Sequence, residues 1–265
     1  MSNTTWNGTD AIIFCQSWLS LAELFISRSD PSAHRSGFDA VECHFPYDEP
    51  VDEVCQALEA TGLPMLGLNT IRGPLNAGLA ALPGQVSDAR QAIDQAFEYG
   101  AQIGSRNVHV MAGAISGQEA TSTYLDNLRY ASDVAEKHDM SVLIEPLNPF
   151  DMPGYFLRDT LHACELLEAL SLCNVKLMFD IYHVGRTEGR VIDRFNSCLP
   201  LIGHVQFASV PDRGPPGHGE IDFHSIFNAI DQSGWCQPLG AEYKISGSTE
   251  DTLGWMQPYM QNERQ

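Results

Sequence analysis

The stretch SVLIEPLNPFDMPGYFLRDTLHACELLEALSLCNVKLMFD (141–180) decides the fold. It opens on an apolar run closed by Glu145, and it ends on a second apolar run, 175–180, closed by Asp180. Between them, over 160–170, Leu161, Cys164 and Leu167 recur near the period of a helix. Two short apolar runs joined by one helical pattern predict parallel strands with a helical crossover, because parallel neighbours need a long connection.

The same unit recurs on both sides. Apolar or β-branched runs fall at 11–15, 40–44, 64–69, 107–111, 141–145, 175–180, 202–207 and 238–242, eight in all. Helical patterns occupy 51–60, 87–103, 119–137, 160–170 and 223–233, with Gly62, Gly100 and Gly234 read as helix stops. Eight repeats in 265 residues are the count and size of an α/β, closed (β/α)8 barrel, a single domain over 1–265. An open doubly wound sheet is the rival. It calls for a glycine-rich phosphate loop after the first strand, where this chain has CQSWLSLAE (15–23). The first repeat is the weakest, since its helix is short before Asp30-Pro31.

In such a barrel the chemistry sits at the C-terminal ends of the strands. Strand five ends in Glu145, strand six in Asp180 and strand eight in Glu242, while strand seven offers Gln206. A lone acidic residue at a strand end is usually a helix cap. Four oxygen-bearing side chains on four adjacent strands call for more, because converging carboxylates repel one another without a cation. Hard oxygen donors select Mg²⁺ or Mn²⁺ over zinc. Asp180-Ile-Tyr-His183 sets an imidazole near the pocket mouth, and strand alternation puts Lys244 on the face of Glu242. By the same alternation His204 shares a face with Gln206, and His109 with Met111; both histidines read as satisfied interior residues. The loop after strand seven carries Arg213, well placed for an anionic group, and Glu220, both expected to contact the substrate as Lys244 is; a plain surface turn is the alternative.

Composition narrows the partners. With 34 acidic and 15 basic residues the formal charge is −19, which opposes nucleic acid and anionic membranes. The expected partner is a small molecule, and the oligomeric state is left open, a homo-oligomer included. The seven cysteines are an odd number without a CxxC pair, and the apolar run near the N-terminus is interrupted by Gln16 and Ser17. Both features point to reduced thiols in the cytoplasm.

IEPLNPFDMPGYFL (144–157), FDIYHVGRTEG (179–189), HVQFASVPDRGPPGHGEIDF (204–223) and EYKISGSTEDTL (242–253) resemble the hydroxypyruvate isomerase family, within the xylose-isomerase-like barrels. GFDAVECHFPYDEP (37–50) and HVMAGA (109–114) are similar to that family's second and fourth strands. The resemblance implies a metal-dependent aldose–ketose isomerase, with Glu145, Asp180, Gln206 and Glu242 as divalent-metal ligands and Glu145 and Glu242 also as the acid/base pair. It implies substrate contacts at His183, Arg213 and Asp151. Two segments depart from the family pattern, IIFCQSWLSLAEL (12–24) and LNTIRGP (68–74). Hydroxypyruvate is the expected substrate, with a four-carbon 2-oxo acid or a neutral ketose as alternatives and a sugar-binding barrel without catalysis as the non-enzymatic one.

Overall fold

The computed structural model describes residues 12–15, 38–245 and 250–260. The helix expected after the first strand and the SGST stretch at 246–249 lie outside the described residues. Eight strands form one parallel sheet: β1 (Ile12–Cys15), β2 (Ala40–Glu42), β3 (Gly67–Asn69), β4 (Asn107–His109), β5 (Ser141–Ile144), β6 (Val175–Asp180), β7 (Ile202–Phe207) and β8 (Leu239–Ala241). The strand order is β2-β1-β8-β7-β6-β5-β4-β3. Backbone bonds from Cys43 N–H to Gly67 O (3.0 Å) and from Leu66 N–H to Val41 O (2.8 Å) join the two outer strands and close the barrel.

Helices α1 (Val51–Thr61), α2 (Val86–Gln102), α3 (Gln118–Lys137) and α4 (Thr160–Leu170) follow β2, β3, β4 and β5. Two short helices, α5 (Ile181–Thr187) and α6 (Val191–Cys198), fill the crossover after β6, where no helical pattern was expected. The helix α7 (Phe223–Gln232) follows β7, and α8 (Gln257–Met260) comes near the end.

Strand alternation divides the side chains into two populations. Val142, Ile144, Leu177, Phe179, Val205 and Phe207 join helix residues such as Phe97, Leu128, Leu166 and Phe195 in one core between sheet and helices. The alternate positions Leu143, Met178, His204 and Gln206 line the barrel interior together with His109 and Glu42. The outer population holds the barrel together by burying apolar area, and the inner one is free to carry polar chemistry.

One expected helix stop is displaced. Gly62 does end α1 in the left-handed conformation (φ 71°). Gly100, in contrast, lies inside α2, and the left-handed glycine after that helix is Gly104 (φ 68°). A Cβ at Gly100 would come within 3.0 Å of Leu68 and of Met140. That glycine serves close helix–sheet packing, not termination.

Candidate active site

The site is built on the junction between β6 and α5. Asp180 ends the strand and caps the helix: its Oδ1 accepts the Tyr182 N–H at 2.8 Å. This bond turns Oδ2 inward, where it is buried without a hydrogen-bond partner. His183 stands three residues on, with Nε2 3.6 Å from Asp180 Oδ2 and 3.9 Å from Glu145 Oε1.

The loop after β5 locks onto that helix. Asn148 Oδ1 accepts the N–H groups of Phe150 (3.1 Å) and Asp151 (3.0 Å), an Asx turn. The Asn148 backbone N–H donates to His183 Nδ1 at 2.9 Å, and its side-chain nitrogen lies 2.8 Å from the same atom. Asp151 Oδ2 accepts from Tyr182 Oη (2.7 Å) and from Asn148 Nδ2 (3.1 Å). Burial would raise the Asp151 carboxyl, but these two hydrogen bonds, with the Arg213 and Lys244 charges, hold it below its ordinary range.

Glu145 follows β5 directly and is buried, as is Glu242, whose N–H donates to Phe207 O (3.1 Å) and extends the β8 pairing by one residue. Arg213, in the loop after β7, pairs through Nη2 with Glu242 Oε1 and lies 3.9 Å from Asp180 Oδ2. Its guanidinium carbon sits 5.2 Å from the centre of the Tyr182 ring. Lys244 N–H donates to Arg213 O at 2.7 Å, which ties the two cationic residues to one another's backbone.

Crowding of carboxylates shows in their proton affinities. Burial, with the charges of Glu242 and Asp180 beside it, raises Glu145 well above the usual range. Asp180 is pushed up to about 7 by burial and by Glu242, against the pull of Arg213. His183 and His109 are shifted down by burial, His109 to about 3, so both imidazoles are neutral at pH 7.

Above these groups opens a cavity of about 610 Å³. Glu145, Glu242, His183, Arg213, Lys244 and Asp151 line it, with Met111, Phe150, Arg72 and His44 around them. Asp180 and Gln206 lie beneath its wall, paired across β6 and β7. Glu220 is exposed, lines no part of the cavity, and donates its N–H to Val210 O (2.8 Å).

Residues 32–259 match the family model described as xylose isomerase-like TIM barrel. The chain belongs to that family. It is 35% identical to the hydroxypyruvate isomerase of Escherichia coli over 89% of this chain and 93% of that protein. It is 38% identical to the 2-oxo-tetronate isomerase of Cupriavidus necator, over 86% and 91%. With relatives of this kind across nearly its whole length, the chain is an isomerase of the hydroxypyruvate isomerase kind. A Brucella melitensis structure titled AP endonuclease, family 2, superposes with a TM-score of 0.86 at 30% identity, covering 94% of this chain and 99% of that one. A D-allulose 3-epimerase from Methylomonas superposes at 0.77 with 17% identity, over 97% and 99%, a likeness of fold.

In (β/α)8 barrels the chemistry sits at the C-terminal ends of the strands, and here the donor atoms suit a hard cation. Glu145 Oε1, Asp180 Oδ2 and Gln206 Oε1 are all buried without a hydrogen-bond partner. Glu145, Asp180 and His183 each bring one donor atom within 4.8 Å of the others, a buried cluster able to hold a metal. The imidazole is the poorest ligand of the three. Its Nδ1 receives Asn148 donors, so Nε2 carries the proton and has no lone pair to give. His183 therefore presents an N–H to the cavity, and the oxygen donors are left for the cation.

Three residues of the site escaped the sequence reading. Glu42 at the end of β2, His44 just after it, with Nε2 3.5 Å from Glu242 Oε1, and Asn148 were not singled out. A signal existed for Glu42: an acid inside the apolar run AVECH (40–44). The two interior histidines are not satisfied as expected: both ring nitrogens of His109 are buried without a hydrogen-bond partner, Nδ1 lying 3.5 Å from Glu145 Oε2, and His204 Nε2 lies 2.8 Å from Glu42 Oε2 without hydrogen-bond geometry.

Proposed function

We propose that this chain, taken as one domain over 1–265, interconverts hydroxypyruvate and 2-hydroxy-3-oxopropanoate (tartronate semialdehyde) with a bound Mg²⁺ or Mn²⁺. The observation that carries this reading is the set of three buried oxygens without hydrogen-bond partners, from Glu145, Asp180 and Gln206, beneath a cavity lined by Glu242, Arg213 and Lys244. Glu145, Asp180, Gln206 and Glu242 would hold the cation. When bound, it supplies positive charge for the oxygens of the enediolate.

The chain's own groups do the rest. One glutamate of the Glu145/Glu242 pair takes a proton from C3 of hydroxypyruvate, the electrons move into the C2–C3 bond, and the enediolate forms. The other returns a proton to C2 as the C2–C3 electrons move there, while the C3 hydroxyl proton passes to the C2 oxygen, so that the C3 carbonyl and the C2 hydroxyl are made together. Glu145 is suited to shuttle a proton near neutral pH because its carboxyl is raised. The His183 N–H and Arg213 bind substrate oxygens, and Arg213 and Lys244 counter the substrate carboxylate in a protein of charge −19. Asp151 positions Tyr182 and Asn148 at the cavity wall. Glu220, exposed and outside the cavity, has no part in this scheme.

A four-carbon 2-oxo-tetronate is the second reading. It is favoured by a cavity of about 610 Å³, roomy for a three-carbon acid, and by the likeness to a 2-oxo-tetronate isomerase. Arg213 and Lys244 on the cavity wall speak against a neutral ketose, and the negative charge speaks against a nuclease role. The cytoplasm suits the free cysteines among the described residues. Among those residues no helix is long and apolar enough to cross a membrane.

A panel of hydroxypyruvate, 2-oxo-tetronate and free ketoses, assayed with EDTA and after restoring Mn²⁺ or Mg²⁺, tests the proposal. Turnover of an oxo acid that vanishes with EDTA and returns with metal is expected. Full activity in protein shown to be metal-free would end the metal reading, and preference for a free ketose would end the oxo-acid reading.

A further inference from the structure

Below the crowded carboxylates, inside the barrel, lies a further buried acid that the reaction does not use. Glu42 ends β2; its Oε1 accepts from Gln206 Nε2 at 3.0 Å, and its Oε2 lies 2.8 Å from His204 Nε2, a close polar contact without hydrogen-bond geometry. Space for it is built into β8, which only β1 separates from β2. A Cβ at Gly240 of β8 would run into Glu42 Oε1 and would come 3.2 Å from His204 Nε2.

A carboxylate only accepts hydrogen bonds. Gln206 must therefore turn its NH₂ down to Glu42 and its Oε1 away, and that Oε1 is buried with no hydrogen-bond partner. The reversed amide would set oxygen against carboxylate oxygen at Glu42 and would present an NH₂ group, which cannot ligate a cation, in place of the free oxygen. We infer that Glu42 is a positioning residue: it fixes the Gln206 amide with its oxygen toward the cation site, and His204 holds Glu42 in place for that purpose. This inference rests on the reading of Gln206 as a cation ligand. The competing role is plain filling of the barrel interior, which would act on stability and not on the amide.

The test is Mn²⁺ binding to the full chain, read by the EPR signal of free Mn²⁺, with thermal melting recorded alongside. Outer partners of metal ligands are typically worth about 10–100-fold in affinity. Glu42→Gln, whose new amide permits either orientation of Gln206, is expected to weaken Mn²⁺ binding by about that factor. Gln206→Glu has oxygen at both ends, so orientation no longer matters; in that background Glu42→Gln should cost no affinity, and it removes a clash of two carboxylates. Should Glu42→Gln fail to fold, Glu42→Asp keeps the charge, withdraws it from Gln206, and is expected to weaken Mn²⁺ binding in the same direction.

Equal loss from Glu42→Gln in both backgrounds would overturn the inference in favour of a structural role. Wild-type affinity in Glu42→Gln, alongside weak binding by Gln206→Leu, would overturn it while leaving Gln206 a ligand. Wild-type affinity in Gln206→Leu would remove the ligand reading itself, and the inference with it.

Discussion

Two glutamates inside one barrel behave in opposite ways. Glu42 and Glu145 are both buried, at 7% and 5% exposure, and both stand at the end of a strand. Glu145 is raised well above the usual carboxylate range, by burial and by its acidic neighbours Glu242 and Asp180. Glu42 is lowered: burial works against its charge, but His204 and the Gln206 amide outweigh that. Burial is common to both, so the neighbours decide the direction. The lower layer of the interior satisfies its own charge with protein donors. In the upper layer acceptors outnumber donors, as a site built for a cation or a proton requires. A strand-end carboxylate is thus informative only together with what faces it.

The strongest way to break this contrast is to neutralise the upper layer. Glu145→Gln and Glu242→Gln keep shape and one ligand oxygen but lose the proton-accepting carboxylate. At saturating Mn²⁺, with occupancy measured, turnover is expected to fall by roughly 10²–10⁴. Exchange of substrate carbon-bound hydrogen with D₂O then separates the two. The variant lacking the first base should lose exchange along with turnover, while the other retains exchange without forming product. Near wild-type rates in both metal-loaded variants would move the proton shuttle elsewhere, and His183 would be the next residue to test.

A smaller effect should follow from removing the cations that border the upper layer. Truncating one partner of a buried charge pair typically costs about 2–5 kcal/mol. Arg213 is paired with Glu242, and Lys244 stands on the cavity wall, exposed. Arg213→Ala is therefore expected to raise KM for an oxo acid more than Lys244→Ala does, since only the former pair is buried. Both should affect a neutral ketose far less. Equal losses on charged and neutral substrates would show that these residues act on the fold or the carboxylates and not on a substrate anion.

What the sequence revealed follows the same division. The outer face of the strands was legible because apolar runs and helical periods repeat, and Val142, Ile144, Leu177 and Phe179 fall where alternation puts them. Asp180 and Glu145 were legible as acids closing such runs. Gly100 was misread because a helix-ending glycine and a close-packing glycine look alike in sequence; the contacts with Leu68 and Met140 separate them. Glu42 and Asn148 were missed for a different reason. Each acts through a partner distant in the chain, Gln206 for Glu42 and His183 for Asn148, and no local spacing encodes that. Likewise α5 and α6 are too short for a periodic signal, and the first of them starts from the Asp180 cap.

The finest test of the contrast concerns His183, which belongs to the upper layer but is held by donors from a loop. Its Nδ1 faces the Asn148 backbone N–H at 2.9 Å and the Asn148 side-chain nitrogen at 2.8 Å. Two donors against one ring nitrogen leave Nδ1 bare and Nε2 protonated, so the ring offers the cavity a donor among acceptors. Nitrogen-15 NMR of the imidazole is expected to show that tautomer. Asn148→Ala removes the side-chain donor but keeps the backbone one. The tautomer should therefore survive, and the loss should be that of a single hydrogen bond, about 0.5–1.5 kcal/mol. In turnover that is roughly a twofold to tenfold drop. A proton found on Nδ1 in the wild type would reverse the assignment: His183 would then have a lone pair at Nε2, 3.6 Å from Asp180 Oδ2, and would join the ligand set in place of a distant oxygen.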